Sequence, residues 1–325
     1  MMYHFSTLFD KNYLPQGVAL YRSLMKTARE FRLYTLCMDQ ASYDMILKLD
    51  QPNLVPIHLS EIENDETRAV RANTTHGQFC WVCQPLVCIY VLDKFKVDMV
   101  TYLEADSMFF SDPAVLFREL DGYSVSLVPH RYTPKFDNTE RAGKYCVQFN
   151  AFRSDHEARE VLTFWKDCCY RYTKDNPGYF PGQITLDEWP GRFSCVREIE
   201  HIGAGVAPWN VQQYNIRKSN GSIYVNDVPL VFYHFHEYCR YDDGSHKLGE
   251  YPLTSGVVNT IYAAYVRELR TAKRWIQGID PAFAYERVIK KPGSAKWLIK
   301  GSIRSLMRGK IGIYNVYRDS YFKDF

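Results

Sequence analysis

Two carboxylates interrupt an apolar run in the segment Val100-Thr101-Tyr102-Leu103-Glu104-Ala105-Asp106-Ser107-Met108-Phe109-Phe110. Residues at i and i+2 of a strand point to the same side of a sheet, so this spacing places Glu104 and Asp106 side by side. Adjacent carboxylates repel each other, and either a shared proton or a divalent cation offsets the repulsion. The end of a buried parallel strand is where open α/β sheets bind ligands, which favours the cation. The alternative is a helix-capping Asp106 beside a solvated Glu104.

The overall composition suits a globular α/β protein and argues against several other classes. A chain of 325 residues is long enough for one large domain or two smaller ones, and its net charge of +3 gives no reason to expect nucleic acid as a partner. We expect no signal peptide at Met1–Thr7, and no apolar run approaches the roughly 18 residues of a membrane span. The nine cysteines are irregularly spaced. We therefore expect buried thiols in the reducing cytoplasm rather than a zinc site.

The N-terminal part of the chain alternates between strand and helix patterns. The predicted order is strand Tyr3–Phe9, helix Leu14–Met25, strand Arg32–Met38, helix Ser42–Leu49 and strand Leu54–Leu59. This βαβαβ pattern predicts a parallel sheet with helices on both faces, which binds a mononucleotide where its strands end. The predicted elements that follow are helix Trp81–Leu92, strand Asp98–Leu103, helix Ala114–Leu120, strands Tyr123–Val128 and Val147–Arg153, helices His156–Tyr172 and Gln183–Trp189, strands Phe193–Ile199 and Val228–Phe235, and helix Val257–Ile276.

Three polar residues between the motifs are further candidates. Arg68 and Arg71 share one helical face, where either one of them reaches a diphosphate or both are solvated. Asn150 lies in an apolar strand, and a buried amide needs a partner, which is either the backbone or a ligand.

Two histidines extend the candidate site. His234 and His236 flank Phe235 at the end of an apolar strand, and strand alternation places both imidazoles on one face. Carboxylates and an imidazole are a common ligand set for Mn²⁺, so the histidines join Glu104 and Asp106 as candidate ligands. A cation there would bridge two phosphate oxygens and neutralise a diphosphate leaving group. The alternative for each histidine is a hydrogen-bonded core residue.

The C-terminal part of the chain carries a basic amphipathic segment. No acidic residue occurs between Val288 and Tyr317, whereas large apolar residues fall on one side of a helical wheel. This pattern is typical of a helix that anchors a protein on a membrane surface, and the alternative is a basic helix packed on the domain. We therefore divide the chain into a domain at 1–255 and a helical, basic extension at 256–325. The basic residues are Lys290, Lys291, Lys296, Lys300, Arg304, Arg308 and Lys310.

Several motifs, in the right order over roughly residues 1–240, resemble those of GT-A nucleotide-sugar glycosyltransferases of the glycogenin-like group. The resemblance implies the GT-A fold, a Rossmann-like mixed and mostly parallel sheet flanked by helices. The matching segments are Phe5–Leu24 for the first strand and helix, Tyr102–Pro113 for the DxD segment, Phe149-Asn150-Ala151 for the donor-sugar motif, Gly182-Gln183 for part of the Asp-Gln motif, and Tyr233–His236 for the metal-binding histidine.

The resemblance also implies a UDP-sugar donor, Mn²⁺ or Mg²⁺ as the cofactor, and retention of the anomeric configuration. Glu104 and Asp106 would hold the metal and the ribose, with His236, or else His234, as the third ligand. Asn150 would meet the donor sugar together with Gln183. Arg71 is included because of its spacing from Arg68 and not because of the resemblance. The residues expected to contact the nucleotide sugar are Thr7, Leu8, Phe9, Tyr13, Arg71, Glu104, Ala105, Asp106 and Lys247.

Two departures from the family pattern affect these expectations. Glu104 stands where Asp is usual, and its longer side chain still reaches a metal. Gly182 replaces the Asp of the Asp-Gln motif, which in the family contacts the sugar near the reacting carbon. Asp187 follows Gln183 by one helical turn and is a substitute for it. The predicted catalytic residues are therefore Gln183, Asp187 and Asn150.

These features together predict a metal-dependent glycosyltransferase. It would pass a sugar from a nucleotide donor to a glycan or a lipid-linked glycan in surface polysaccharide or glycoconjugate synthesis. It would act in the cytoplasm, bound peripherally to the inner face of the cell membrane. One alternative is a non-catalytic nucleotide-sugar binder, which Gly182 would allow. A sugar nucleotidyltransferase is the other, but it needs a Gly-rich basic loop where this chain has Asp10-Lys-Asn-Tyr-Leu14.

Overall fold

The structure of the protein is a computed structural model that describes residues 2–175, 181–283, 288–306 and 314–323. It begins with the predicted βαβαβ unit. Its elements are β1 (Tyr3–Phe9), α1 (Leu14–Thr27), β2 (Phe31–Cys37), α2 (Gln40–Leu49) and β3 (Leu54–His58). The carboxylate of Asp10 ends β1, because it accepts hydrogen bonds from the backbone N–H groups of Asn12 and Tyr13 at 2.9 and 3.2 Å. The three strands pair in parallel. The predicted unit is therefore confirmed.

The central sheet continues through the middle of the chain. The elements there are α3 (Asp65–Ala72), α4 (His76–Phe95), β4 (Met99–Leu103), β5 (Ser107–Phe109), α5 (Ala114–Glu119), β6 (Val125–Pro129), α6 (Thr139–Ala142), β7 (Tyr145–Cys146), β8 (Phe149–Arg153), α7 (His156–Asp175), α8 (Pro181–Ile184), α9 (Trp189–Arg192) and β9 (Val196–Glu198). The strand order is β3-β2-β1-β4-β8-β6-β7, with β9 beside β6. Because β8 runs antiparallel between β4 and β6, the sheet is mixed but mostly parallel, as predicted.

Smaller strands and a second set of helices complete the fold. They are β10 (Ile216–Ser219), β11 (Ser222–Val225), β12 (Val228–Pro229), β13 (Phe232–His234), β14 (Tyr238–Tyr241), β15 (His246–Leu248), α10 (Ser255–Val257), α11 (Ala263–Ile279), β16 (Val288–Ile289), α12 (Ala295–Leu306) and β17 (Val316–Tyr317). The predicted strand 228–235 is split into β12 and β13. The two parts have different partner strands. β12 pairs with β11, whereas β13 pairs antiparallel with β5 in the register His234↔Ser107.

Hydrophobic cores cover both faces of the sheet. Phe5 packs in the core beneath α1 and α11, whereas Leu8 packs in the core beneath α4 and α7. α11 shares a core with α1, and its buried Glu268 also pairs with Arg22 and Lys26. The division of the chain after residue 255 stays a prediction. Helix α4 begins at His76, earlier than the predicted Trp81, because Thr75 caps it.

Candidate functional site

A cavity of about 730 Å³ lies at the carboxyl ends of β1 and β4. Small-molecule sites in proteins have volumes of about 300–1,000 Å³. Three chain segments meet there: the end of β1, the turn between β4 and β5, and the end of β13. The predicted site residues that line the cavity are Leu8, Phe9, Tyr13, Glu104, Ala105, Asp106, Gln183, His234 and His236.

A carboxylate–imidazole pair forms the centre of this cavity. The antiparallel pairing of β13 with β5 places His234 beside Asp106, and Asp106 Oδ1 lies 3.1 Å from His234 Nε2. This spacing is that of a hydrogen-bonded pair, and the two atoms are close enough that both could hold one cation if it were bound. His236 lies next to the pair, and its ring centroid is 5.8 Å from that of His234. The sequence thus predicted both histidines at the site, and β13 brings His234 to the carboxylate.

Burial and charge shift the protonation of these groups. Burial raises the pKa of Asp106, but the charge and hydrogen bond of His234 outweigh it, so the pKa of Asp106 lies below its usual value. Burial likewise lowers the pKa of His234, and the Asp106 charge reverses the effect and raises this pKa well above its usual value. Burial and the neighbouring Asp106 charge raise the pKa of Glu104 to about 8. The charge of Asp106 therefore disfavours a charged Glu104, but the two residues lie in the turn between β4 and β5, not in the strand that the sequence spacing predicted.

Two buried glutamines join the site although no sequence motif marked them. Gln84 Nε2 donates a hydrogen bond to Glu104 Oε1 at 2.8 Å, and Gln148 Oε1 lies 3.2 Å from His234 Nδ1. Both side chains are buried. Each glutamine is a polar residue in an apolar stretch, which is the signal that identified Asn150. The same reasoning, applied to α4 and to the residues before β8, would have found them.

The cavity lining carries carboxylates and imidazoles without a permanent cation. Its acidic residues are Asp10, Glu104 and Asp106, and none of the described residues that line it is a lysine or an arginine. Burial lowers the pKa of His130, which also lines the cavity, to about 3, so this imidazole is neutral at physiological pH. A diphosphate in the cavity would meet no lysine or arginine among the described lining residues, so a bound cation would have to supply much of the balancing charge.

Five predicted site residues do not line the cavity, and four of them are engaged or buried elsewhere. Thr7 is fully buried within β1, and Asn150 is fully buried, with its amide donating to the backbone oxygen of Ser126 at 3.3 Å. Arg71 forms an ion pair with Glu63 at 2.7 Å, and Lys247 forms one with Glu250. Their contacts with a nucleotide sugar stay predictions.

Gln183, which lines the cavity, and Asp187, the fifth predicted site residue that does not, hold one wall of the cavity in place. The Gln183 amide donates to the backbone oxygen of Ala142 at 2.8 Å and accepts from the backbone N–H of Val147 at 3.3 Å. The Asp187 carboxylate accepts from the backbone N–H of Lys144 at 2.8 Å and lies outside the cavity lining. Both side chains therefore fix the segment 142–147, and their predicted catalytic role is untested.

Gly182 has little room for the carboxylate that the glycosyltransferases this chain resembles carry at this position. A Cβ atom added there would lie 3.1 Å from Cys169 Sγ and 3.5 Å from Trp165 Nε1. The Trp165 ring nitrogen donates to the Gly182 backbone oxygen at 2.8 Å. The close packing of α7 against α8 therefore leaves little space for an aspartate side chain at residue 182.

The basic extension exposes apolar side chains along α12. The exposed fractions are 59% for Ile299, 53% for Ile303 and 73% for Leu306. Trp297 is half-buried and contacts the edge of Tyr241, with ring centroids 6.2 Å apart. None of the helices in the described ranges combines the length and the apolar character that crossing a bilayer requires. Residues 307–313 of the predicted anchor, which include the basic residues Arg308 and Lys310, lie outside the described residues.

Comparisons with known proteins fix the fold and the family. No protein-family model matches the chain. The galactosyltransferase LgtC, solved in complex with donor and acceptor sugar analogues, is similar in structure with a TM-score of 0.50 and 11% identity, over 90% of this chain and 98% of LgtC. This likeness confirms the predicted GT-A fold. Membership of the glycogenin-like group stays a prediction.

Two Bacillus subtilis (strain 168) proteins are similar in sequence. The uncharacterized protein YfnD is 28% identical over 289 residues, which cover 86% of this chain and 92% of YfnD. The uncharacterized protein YfnF is 30% identical over 247 residues, which cover 72% of this chain and 81% of YfnF. The chain therefore belongs to the same protein family as YfnF.

Proposed function

We propose that this protein is a metal-dependent glycosyltransferase. Its donor is a nucleotide-diphosphate sugar, for which we propose a UDP-sugar, and its acceptor is a glycan or a lipid-linked glycan. The observation that carries the proposal is the Asp106–His234 pair at 3.1 Å, in a cavity whose described lining has no lysine or arginine. The likeness to LgtC, a galactosyltransferase solved with donor and acceptor sugar analogues, supports it through the fold. The pathway is the synthesis of surface polysaccharide or glycoconjugate.

The donor set fits Mn²⁺ or Mg²⁺. Carboxylate and imidazole both suit Mn²⁺. Within the described ranges, no group of three or more His, Cys, Asp and Glu side chains is arranged to hold a metal ion. Such a group is not required, because a cation in a phosphate site keeps several waters and binds one or two carboxylates plus the substrate phosphates. Asp106 and His234 would hold the cation, with Glu104 and His236 beside them. When bound, it supplies Lewis-acid stabilisation of the diphosphate leaving group.

The surroundings of Asp187 favour a retaining reaction. An inverting reaction needs a general base in contact with the acceptor hydroxyl. The Asp187 carboxylate instead accepts backbone hydrogen bonds from Lys144 and Tyr145, outside the cavity lining. In the proposed retaining reaction, the acceptor hydroxyl gives its proton to the departing diphosphate. Gln183 keeps the wall 142–147 in place beside the donor sugar.

A test separates this function from the non-catalytic alternative, which Gly182 favours. Calorimetry of UDP binding in Mn²⁺ and in EDTA should show binding that requires the cation. Hydrolysis of a panel of UDP-sugars should then release UDP at a slow but measurable rate in Mn²⁺. Cation-independent binding of UDP would contradict the metal site. Cation-dependent binding without any turnover, with or without sugar acceptors, would favour the non-catalytic binder.

We also propose that α12 attaches the protein to an anionic membrane surface on the cytoplasmic side of the cell membrane. Ile299, Ile303 and Leu306 are exposed on a helix that also carries the exposed Lys300. Exposed apolar side chains bury themselves at the lipid interface, and each basic residue near an anionic surface adds about 1 kcal/mol. α12 follows β16, and Val288 of β16 lines the cavity. The attachment would therefore place the cavity near a lipid-linked acceptor.

Vesicle sedimentation tests the attachment. The unmodified chain should pellet with vesicles that contain phosphatidylserine, and less so in high salt. The double variant Ile299→Glu/Ile303→Glu should stay in the supernatant, since both side chains are exposed and their replacement leaves the core intact. Leu47→Glu is the matched control, because Leu47 is 49% exposed on α2. Equal pelleting of the double variant and the control would contradict the proposal.

A further inference from the structure

The orientation of His234 depends on a side chain outside the cavity lining. We propose that Gln148 is a positioning residue that holds His234 in the tautomer whose Nε2 faces a bound cation. This inference rests on the proposed function, because it assigns a role toward the proposed metal. It concerns Gln148, which no motif and no comparison marked.

The contacts of the His234 ring define this orientation. Its Nδ1 lies 3.2 Å from Gln148 Oε1, and its Nε2 lies 3.1 Å from Asp106 Oδ1. With the Gln148 amide in this orientation its oxygen accepts, so Nδ1 carries a proton and donates it to Gln148. Without the cation Nε2 also carries a proton, which it donates to Asp106. When a cation displaces that second proton, the neutral ring has its lone pair on Nε2, the nitrogen that faces Asp106. Metal-binding histidines usually donate the other ring N–H to an oxygen in this way.

The alternative partner of Nδ1 is weaker. Cys146 Sγ lies 3.9 Å from Nδ1, and a thiol is a poor acceptor. Trp209 also contacts the edge of the His234 ring, with centroids 5.4 Å apart, and it restricts the plane of the ring without choosing the tautomer. Gln148 is therefore the group that discriminates between the two nitrogens.

The Gln148 side chain fits beside residue 205 only because that residue is glycine. Gly205 has a φ of +68°, and a Cβ atom added there would lie 2.5 Å from Gln148 Nε2. Gln148 itself is fully buried, and its Nε2 has no hydrogen-bond partner among the described residues. A buried donor without a partner destabilises the folded chain. The fold thus accepts a cost at Gln148 to keep its oxygen on His234, which is expected of a residue with a positioning role.

Mn²⁺ binding, measured from the electron paramagnetic resonance of the free ion, tests the role without turnover. Gln148→Leu keeps the volume and removes the acceptor, and it should weaken Mn²⁺ binding in the presence of UDP by about 10–100-fold. Gln148→Glu restores an oxygen acceptor and should bind Mn²⁺ more tightly than Gln148→Leu. Gln16→Leu is the matched control, because Gln16 is a buried glutamine in α1 and does not line the cavity. It should bind Mn²⁺ like the unmodified chain.

A second readout follows the tautomer itself. Nitrogen-15 spectra of the histidine rings in the Mg²⁺–UDP complex, assigned with His234→Asn, should show a protonated Nδ1 on His234. A ring with Nε2 on the cation keeps its one proton on Nδ1 in either chain. Gln148→Leu should therefore keep that proton but shift its Nδ1 resonance, because the hydrogen-bond acceptor is lost, while its melting temperature shows that it is folded. Unchanged Mn²⁺ affinity in Gln148→Leu, or equal losses in the Leu and Glu variants, would overturn the inference while the proposed function stands. Failure of the unmodified chain to bind Mn²⁺ would refute both.

Discussion

Asp106→Asn is expected to weaken Mn²⁺-dependent UDP binding by about 30–5,000-fold, because loss of one partner of a close charge pair at a binding site costs about 2–5 kcal/mol. Asparagine keeps the shape of the side chain and its hydrogen-bonding capacity, but it removes the negative charge that holds the cation. The neighbouring His234 then loses the charge that raises its pKa. Transfer or hydrolysis of a UDP-sugar should fall at least as far as binding. Calorimetry in Mn²⁺ measures the binding, and UDP release measures the turnover.

The control for this variant is a carboxylate that is far from the cavity. Asp227→Asn qualifies, since its side chain is 98% exposed and it makes a loose pair with Arg217 at 3.8 Å. It should bind UDP and Mn²⁺ like the unmodified chain. Melting temperatures of both variants would show whether the fold is retained. Cation-dependent UDP binding of ordinary strength in folded Asp106→Asn would mean that the metal does not sit at the Asp106–His234 pair.

Local sequence patterns predicted the secondary structure of the sheet well, for identifiable reasons. β1 has the predicted bounds Tyr3–Phe9, because buried residues occur at almost every position and Asp10 ends the strand with its own side chain. The direction of β8 could not be predicted from local patterns. A strand buried on both faces has the same apolar pattern whether it runs parallel or antiparallel. The position of β8 between β4 and β6 depends on pairing across the chain, which a local pattern does not contain.

The candidate site shows the same division between local and long-range information. The spacing of His234 and His236 correctly predicted that both line the cavity. Which of them reaches Asp106 depends on the register of β13 with β5, where His234 lies opposite Ser107. Arg71 was selected for its charge and its spacing from Arg68, and in the folded chain it pairs with Glu63, eight residues before it. The sequence contains both charges but does not show which of several nearby carboxylates a flexible arginine side chain will meet.

Gly205→Ala is the second variant for which we expect a large effect. Gly205 has a φ of +68°, and an added Cβ would lie 2.5 Å from Gln148 Nε2 and 2.6 Å from Val128 Cγ1. A left-handed conformation costs a non-glycine residue about 1–2 kcal/mol, and overpacking adds about 1–3 kcal/mol. The free energy of unfolding should therefore fall by roughly 2–5 kcal/mol. At the usual unfolding entropy per residue, the melting temperature of a chain of this length should fall by roughly 3–7 °C.

The same substitution should also disturb the site, because the methyl group displaces the side chain that holds His234. Mn²⁺ affinity in folded Gly205→Ala should therefore fall together with the melting temperature. Gly278→Ala is the matched control, since Gly278 lies in α11 and a Cβ added there meets no atom within 4 Å. Alanine is the better helix former by about 0.5–1 kcal/mol, so this control should melt slightly higher than the unmodified chain. Scanning calorimetry decides the matter, because equal melting temperatures for Gly205→Ala and the unmodified chain would show that the loop at Gly205 relaxes without cost.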